Sequence, residues 1–222
     1  MENPSSHPRI IRFYANFGAP ETVFFISLIA LFFIPFIVGL GTGLLRSFLF
    51  TFFIFSLYYL IYTQGTRFKT LFLILLVLAL SVSWLKHANV ATPLFLEVIA
   101  EVIIMLLSFY FIFKSIFTTN RVDINTLMAA IAGYLIIGIG LSLLVYLFES
   151  LIPHSFSFSD NFDMHESYYY SFVTMSTLGY GDVTPLTTKA KGLSILITLI
   201  GQFYMAVIVG IIIGKLISHK KD

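Results

Sequence analysis

The sequence predicts an all-α membrane protein with six transmembrane helices. Hydrophobic residues make up 58% of the 222 residues and charged residues only 11%, whereas about a quarter of the residues in soluble domains are charged. Six apolar runs each approach the roughly 20 residues that a helix needs to cross a hydrocarbon core of about 30 Å. Short polar breaks separate these runs. We predict the six helices at residues 23–41, 44–62, 70–85, 94–113, 127–148 and 193–217.

The composition also limits the classes of function. The sequence contains no cysteine, which excludes disulfides, thiolate metal sites and cysteine nucleophiles. The net charge of +2 gives no indication of a nucleic-acid partner. The sequence shows no nucleophile paired with a base, no cluster of metal ligands and no phosphate-binding loop. We therefore expect a protein that is not an enzyme and has no cofactor.

The distribution of Lys and Arg predicts the orientation in the membrane, because short cytoplasmic loops are enriched in these residues. With both termini in the cytoplasm, the outer side carries only Arg46, Lys86, Lys189 and Lys191. The inner side then carries the larger group, Arg9, Arg12, Arg67, Lys69, Lys114, Arg121, Lys215, Lys220 and Lys221. We predict a multi-pass protein of the plasma (cell inner) membrane with both termini cytoplasmic and residues 149–191 on the outer side.

The outer segment contains a motif that predicts a pore. It reads Ser176-Thr177-Leu178-Gly179-Tyr180-Gly181-Asp182 and follows the aromatic stretch 168–172. Non-helical backbone at membrane depth is tolerated only where it is buried in protein or lines water. A potassium ion that sheds its water needs equivalent oxygens, which backbone carbonyls can supply if the side chains point away. Glycine permits the backbone conformations that this arrangement requires.

This motif resembles the selectivity filter of the potassium channel family. The match continues through residues 183–185, covers about the last hundred residues well, and extends to the first four helices only by their number. The resemblance implies a re-entrant pore helix and filter between the fifth and sixth helices, with four chains forming a homotetramer around K⁺ as the permeant ion. It assigns ion binding to Thr177, Leu178, Gly179, Tyr180 and Gly181, and support of the filter to Tyr169, Tyr170 and Asp182.

A short pore helix is expected before the filter. Asp163 can cap the free amides at its start, and Glu166 stands at the spacing of a capping box. An end near Ser176 would direct the negative end of the helix dipole toward a central cavity, which favours a cation there.

The chain divides in this interpretation into two membrane domains. Residues 1–117 form a four-helix N-terminal domain, and residues 118–222 form a pore domain of outer helix, pore helix, filter and inner helix. The inner helix contains Gly201, Gly210 and Gly214. These glycines are candidate gating hinges, although the spacing of the last two is also typical of close helix packing.

The fourth predicted helix does not resemble a voltage sensor, which carries basic residues at every third position. It contains no Lys or Arg, and has Glu97 and Glu101 one helical turn apart. Carboxylates within a membrane are costly and mark candidate functional sites. The pair is a candidate proton or cation sensor with Lys86 or His87 as its partner, or it simply reaches the outer headgroups.

The sequence therefore predicts passive, selective conduction of potassium without a conventional voltage sensor. One alternative is a weakly selective cation channel, against which Tyr180 argues. A second is a potassium transporter subunit, a class that carries four pore repeats where this chain has one. A third is a membrane sensor or scaffold with a silent pore. Membrane lipid is the expected surrounding, and we expect gating to come from the membrane part, the filter, lipid or a separate regulatory subunit.

Overall fold

The computed structural model describes residues 19–38, 43–65, 69–85, 94–119, 122–158 and 162–218. Regular secondary structure in these ranges is helical, apart from an antiparallel bridge between Phe156 and Pro185. The described helices are α1 (Pro20–Val38), α2 (Gly43–Thr63), α3 (Lys69–Leu85), α4 (Leu94–Thr118), α5 (Ile124–Leu151), α6 (Met164–Met175) and α7 (Thr188–Ser218).

The described residues agree with the predicted all-α membrane protein, because they are helical and include candidate membrane spans. Six spans and a tetramer stay predictions. Helices α2, α4, α5 and α7 each contain a stretch that is long and apolar enough to cross a membrane. The apolar parts of α1 and α3 are shorter, and the 17 residues of α3 extend over about 26 Å. Each apolar run in the sequence coincides with a helix, while membrane crossing by α1 and α3 stays a prediction.

Helix α5 lies at the centre of the fold. It packs against α4 and α1 on the side of the N-terminal helices, and against α6 and α7 in the C-terminal part. A single buried cluster includes side chains from α1 to α5 and from α7. The N-terminal helices therefore pack directly on the C-terminal ones, and the division into two domains at residue 117 stays a prediction.

Helix α1 also contacts α6 through aromatic side chains. The ring of Phe32 lies 5.7 Å from the ring of Tyr168 and 4.6 Å from that of Phe172, measured between centroids.

Helices α1 and α2 also share a polar contact. Ser27 and Ser56 share a buried hydrogen bond of 2.6 Å between α1 and α2. This contact lies within the packed interface of α1 and α2, and each hydroxyl is also within hydrogen-bond distance of a carbonyl of its own helix.

Small residues allow α5, α6 and α7 to approach closely. The Ser171 hydroxyl donates to the Gly138 carbonyl at 3.0 Å, and the Tyr204 hydroxyl donates to the Ala130 carbonyl at 2.6 Å. A Cβ atom added to Gly201 would lie 2.5 Å from the carbonyl oxygen of Met175, at the end of α6. The absence of a side chain at Gly201 therefore lets the inner helix α7 support the end of α6.

The candidate hinges differ in their surroundings. Helix α7 continues through all three glycines. Gly201 is buried against Met175, whereas Gly210 and Gly214 have no atom of another residue within 4 Å of a built Cβ. Packing explains Gly201 within one chain, and a hinge role for any of the three stays a prediction.

We predict that Gly201→Ala lowers the thermal stability of the detergent-solubilised protein. Overpacking of a tight contact typically costs about 1–3 kcal/mol, which exceeds the up to about 1 kcal/mol that alanine gains over glycine in a helix. Gly192→Ala is the matched control, because a Cβ there meets nothing within 4 Å. Equal melting temperatures for Gly201→Ala and the unchanged protein would show that Gly201 is not a packing contact.

Candidate ion-conduction site

Helix α6 begins as the sequence predicts. Asp163 is its N-cap, and the carboxylate accepts hydrogen bonds from the backbone N–H groups of His165 at 2.8 Å and Glu166 at 3.1 Å. Desolvation opposes ionisation, but the hydrogen bonds from His165 and Glu166 together lower the pKa of Asp163. The cap therefore stays ionised at neutral pH and stabilises the positive end of the helix dipole.

The end of α6 holds the predicted filter through backbone hydrogen bonds. The N–H groups of Leu178 and Gly179 both donate to the Val173 carbonyl, at 3.0 and 3.3 Å, and the Thr177 N–H donates to the Thr174 carbonyl at 3.1 Å. These N–H groups consequently point toward the last turn of α6. The chain therefore turns back on the carbonyl end of the helix.

The orientation of the filter carbonyls follows from these bonds. In a trans peptide the N–H of one residue and the carbonyl of the preceding residue point in opposite directions, and the described residues contain no cis peptide bond. The carbonyls of Ser176, Thr177 and Leu178 therefore point away from α6. Residues 176–182 are exposed in the single chain, and the Ser176 carbonyl accepts a hydrogen bond from the Thr177 hydroxyl at 2.6 Å.

The backbone of the filter alternates in conformation. The φ angles of Thr177, Gly179 and Gly181 are +62°, +55° and +79°, and those of the residues between them are not positive. Glycine adopts such angles readily, but a β-branched threonine does so only under strain of order 1–3 kcal/mol. The surrounding structure therefore imposes this conformation on Thr177, which is typical of functional segments.

The predicted support residues have distinct contacts. The Tyr169 hydroxyl donates to the carboxylate of Asp182, just after the filter. The hydroxyl of Tyr170 is bonded to Ser194 of α7, and its ring packs edge-on against Phe156 at 4.9 Å. Tyr169 therefore connects α6 to the outer end of the filter, whereas Tyr170 holds α6 against α7. Direct support of Tyr180 by either residue stays a prediction.

The Tyr169–Asp182 bond changes both pKa values. Its hydrogen bond lowers the pKa of Asp182 from its ordinary value, and the same bond raises the pKa of Tyr169 to about 12. Because the folded-state pKa of Asp182 is depressed, the bond's contribution to stability is present above the ordinary value of 3.8. It is lost as the pH falls through the lowered value.

The outer loop fixes the chain beyond the filter. Glu149, at the end of α5, accepts hydrogen bonds from the backbone N–H groups of residues 154, 155 and 156 at 2.7, 3.1 and 3.1 Å. The Leu186 N–H donates to the Ser155 carbonyl at 2.8 Å, and the Ser157 N–H donates to the Thr184 carbonyl at 2.9 Å. A buried carboxylate thus orders the loop that pairs with the segment leaving the filter.

A cavity of about 800 Å³ lies at the Ser176 end of the predicted filter. Ser176 and Thr177 line it from the filter, and Gln202 lines it from α7. Most of the remaining lining is apolar, with Met205, Ile208, Val209 and Ile212 of α7 and Leu127, Ala130 and Ile131 of α5. The cavity therefore combines apolar walls with a few polar groups next to the predicted filter.

The acidic pair of α4 has a partner that the sequence did not predict. Both carboxylate oxygens of Glu101 accept hydrogen bonds from the Arg46 guanidinium of α2, at 2.8 Å each. Arg46 also interacts electrostatically with Tyr168 of α6. Glu97 lies one turn earlier and lines a small gap with Ser83 and Glu101. Lys86 and His87 lie outside the described residues, and sensing by the two glutamates stays a prediction.

The sequence did not predict the contacts of three residues that contribute to the site. The Val173 carbonyl is a backbone acceptor, which no side-chain pattern reveals. Glu149 is an isolated acid in a predicted outer segment and is indistinguishable there from a solvated residue. Arg46 was detectable as a basic residue within an apolar run, since such a residue requires a partner. Its pairing with Glu101 depends on how α2 packs near α4.

Comparison with known proteins supports a channel-type site in this part of the chain. Residues 140–218 match a family model described as "Ion channel". The chain is also similar to "Two-pore potassium channel 4" of Arabidopsis thaliana, with 34% identity over 86 residues. That alignment covers 36% of this chain and 30% of the plant protein. No solved structure matches the chain.

The fold and these matches define a class. The protein is a multi-pass membrane protein, helical in its described residues, whose C-terminal part is similar to an ion-channel domain. Within that part its sequence is similar to a protein described as a potassium channel. The matched segment includes the end of α5, all of α6, the filter and all of α7.

We predict that Tyr169→Phe raises the pKa of Asp182 toward 3.8, because the hydrogen bond that favours the carboxylate is lost. Carbon-13 NMR titration of the aspartate carboxyl groups measures this shift, and Asp182→Asn assigns the resonance. Tyr170→Phe is the control, since the Tyr170 hydroxyl contacts Ser194 instead. The same Asp182 pKa in Tyr169→Phe and the unchanged protein would contradict the contact.

We also predict energetic coupling between Arg46 and Glu101. Arg46→Met and Glu101→Gln should each lower the melting temperature in detergent, and the double variant should lose less than the sum of the two. The coupling should amount to about 1.5–3 kcal/mol, the usual range for a hydrogen-bonded charged group. Arg46→Lys should recover only part of the loss, because lysine cannot bind both oxygens in a fork. Strict additivity would exclude the pair as a stabilising contact.

Proposed function

We propose that this chain is one subunit of a homotetrameric potassium channel that conducts K⁺ passively across the plasma membrane. The ion would pass along the carbonyls of Thr177, Leu178, Gly179 and Tyr180, with the Thr177 hydroxyl at the inner end and Gly181 closing the outer end. The observation that carries the proposal is the bonding of the Leu178 and Gly179 N–H groups to Val173. This bonding leaves the preceding carbonyl oxygens directed away from α6.

The charge distribution near these carbonyls also favours a cation. Helix α6 ends at Met175, directly before the filter, so the negative end of its dipole lies at the inner end of the candidate path. At the outer end, Glu166 and Asp182 line a recess together with His165, Tyr169 and Val183. Acidic groups at a pore mouth raise the local concentration of cations.

The exposed surface of the single chain supports assembly around the filter. Only 22% of the residues in the apolar stretch of α7 are buried, compared with 67% in α5. The side chains of Leu178 and Tyr180 are 60% and 68% exposed in the single chain, so both are free to contact a neighbouring copy. One chain supplies one strand of carbonyls, and a complete ring around an ion needs several such strands. Four copies with α7 innermost would provide that ring.

Two alternatives follow from the same geometry. A weakly selective cation channel would use the same carbonyls in a wider or more mobile ring. A sensor or scaffold with a silent pore would retain the fold without conduction. The plant relative is described as a potassium channel, which favours selectivity for K⁺, and we carry potassium conduction to this chain as a proposal.

We predict that Gly179→Ala and Tyr180→Val each abolish or strongly reduce the preference for K⁺ over Na⁺ without preventing assembly. Alanine at a φ of +55° is strained by about 1–2 kcal/mol, so the carbonyl of the adjacent peptide must move. Tyr180 is exposed in the single chain, so valine leaves the chain's own core intact. Ion flux into liposomes with K⁺ or Na⁺ gradients measures the preference, and native mass spectrometry measures assembly.

Gly65→Ala is the matched control for Gly179→Ala. Gly65 also has a positive φ, +67°, with no neighbour within 4 Å of a built Cβ, but it lies in the turn after α2. The Gly65→Ala substitution should therefore impose similar backbone strain and leave the preference for K⁺ over Na⁺ unchanged. An unchanged preference for K⁺ in both Gly179→Ala and Tyr180→Val would contradict the assignment of these residues to a selectivity filter. A species other than a tetramer for the unchanged protein would remove the proposed assembly.

A further inference from the structure

The end of α7 remote from the filter is attached to α4 by one side chain. The ammonium group of Lys215 donates hydrogen bonds to the backbone carbonyls of Ile116, Phe117 and Thr119. Ile116 and Phe117 belong to the last turn of α4, and Thr119 follows its final residue. Lys215 therefore connects the inner helix of the candidate pore to the N-terminal helices.

The chemistry of this contact is well matched. The last four carbonyls of a helix have no partner within the helix, and they carry the negative end of its dipole. An ammonium group offers three donors, and Lys215 places two on such helix-end carbonyls, those of Ile116 and Phe117, and the third on the carbonyl of Thr119 just beyond the helix. The contact gives the ammonium group acceptors for its protons and gives the unpaired carbonyls at the end of α4 a donor.

Within one chain, apolar packing covers this part of α7 only partly, with Ile211 and Ile212 half-buried against the main cluster. Ile208 is the last buried residue of the helix, and none of residues 209–217 is buried. Gly210 and Gly214 lie in this segment without close neighbours, and glycine lowers the resistance of a helix to bending. The attachment of Lys215 therefore adds a polar contact to a segment that the apolar contacts of its own chain cover only partly.

We propose that Lys215 acts as a latch that keeps the inner mouth of the pore open by holding the end of α7 against α4. Helix α4 exposes large apolar side chains such as Phe95, Leu106 and Tyr110, a surface suited to lipid contact at the periphery of the subunit. Binding to a peripheral helix draws the end of α7 away from the pore axis. The proposal rests on the proposed channel function and adds a route by which the N-terminal helices control conduction.

The test compares single-channel open probability for the unchanged protein, Lys215→Met and Lys215→Arg in planar bilayers. Methionine keeps an unbranched apolar chain but has no donor, so the open probability should fall about tenfold or more, as expected for the loss of charged hydrogen bonds. Arginine keeps donors and charge and should stay within about threefold of the unchanged protein. The reversal potential should be the same in all three, because the filter is untouched. An unchanged or increased open probability in Lys215→Met overturns the latch.

A chemical rescue separates the latch from a general loss of folding. Because the chain has no native cysteine, Lys215→Cys introduces a single thiol. Alkylation with 2-bromoethylamine restores an ammonium group at nearly the original length, whereas 2-bromoethanol adds a neutral group of the same length. The amine should restore the open probability and the alcohol should not. Equal recovery with both reagents, or recovery with neither, contradicts the assignment.

A second readout does not depend on current. Amide hydrogen exchange of residues 209–218 should be faster in Lys215→Met than in the unchanged protein, while Lys189→Met, at the other end of α7, should leave it unchanged. Equal exchange in Lys215→Met and the unchanged protein also overturns the latch. Absence of current from the unchanged protein would instead count against the proposed channel function, and the exchange measurement would still decide whether Lys215 holds α7.

Discussion

The arrangement of the candidate pore depends on the bonding of the filter backbone to the carbonyl end of α6. The Val173 carbonyl accepts from both Leu178 and Gly179, and planar trans peptides then direct the preceding carbonyls the opposite way. Backbone oxygens carry no sequence information, so the surrounding residues serve to keep this bonding in place. Gly201 lets α7 reach the end of α6, Asp163 anchors its start, and Tyr169 connects it to Asp182.

The N-terminal helices contact this arrangement at both ends. Near the outer end, Phe32 of α1 packs on α6, and the Arg46–Glu101 pair lies close to Tyr168. Near the other end, Lys215 binds the end of α4. None of these contacts involves a ladder of basic residues, and the only charged side chains on α4 before Lys114 are Glu97 and Glu101. The contacts therefore fit a bundle that sets the position of the pore helices through packing and fixed pairs.

Local features of the fold could be predicted from the sequence, and long-range pairings could not. Asp163 as an N-cap and the limits of α3 follow from residues within one turn of each other. Helix α4 continues to Thr118, beyond the predicted residue 113, because Lys114 and Ser115 lower the hydropathy without interrupting a helix. The partner of Glu101 lies 55 residues away, and its choice depends on helix packing that periodicity does not encode. The positive φ of Thr177 is likewise imposed by bonding to α6 and not by the preference of threonine.

The central claim is that the carbonyls directed away from α6 form a path selective for potassium. The reversal potential of the purified, unchanged protein in a planar bilayer, with K⁺ on one side and Na⁺ on the other, tests this claim most directly. We expect a reversal close to the potassium equilibrium potential, accompanied by single-channel steps. A reversal near zero would contradict potassium selectivity, and the absence of any current from correctly assembled protein would contradict conduction.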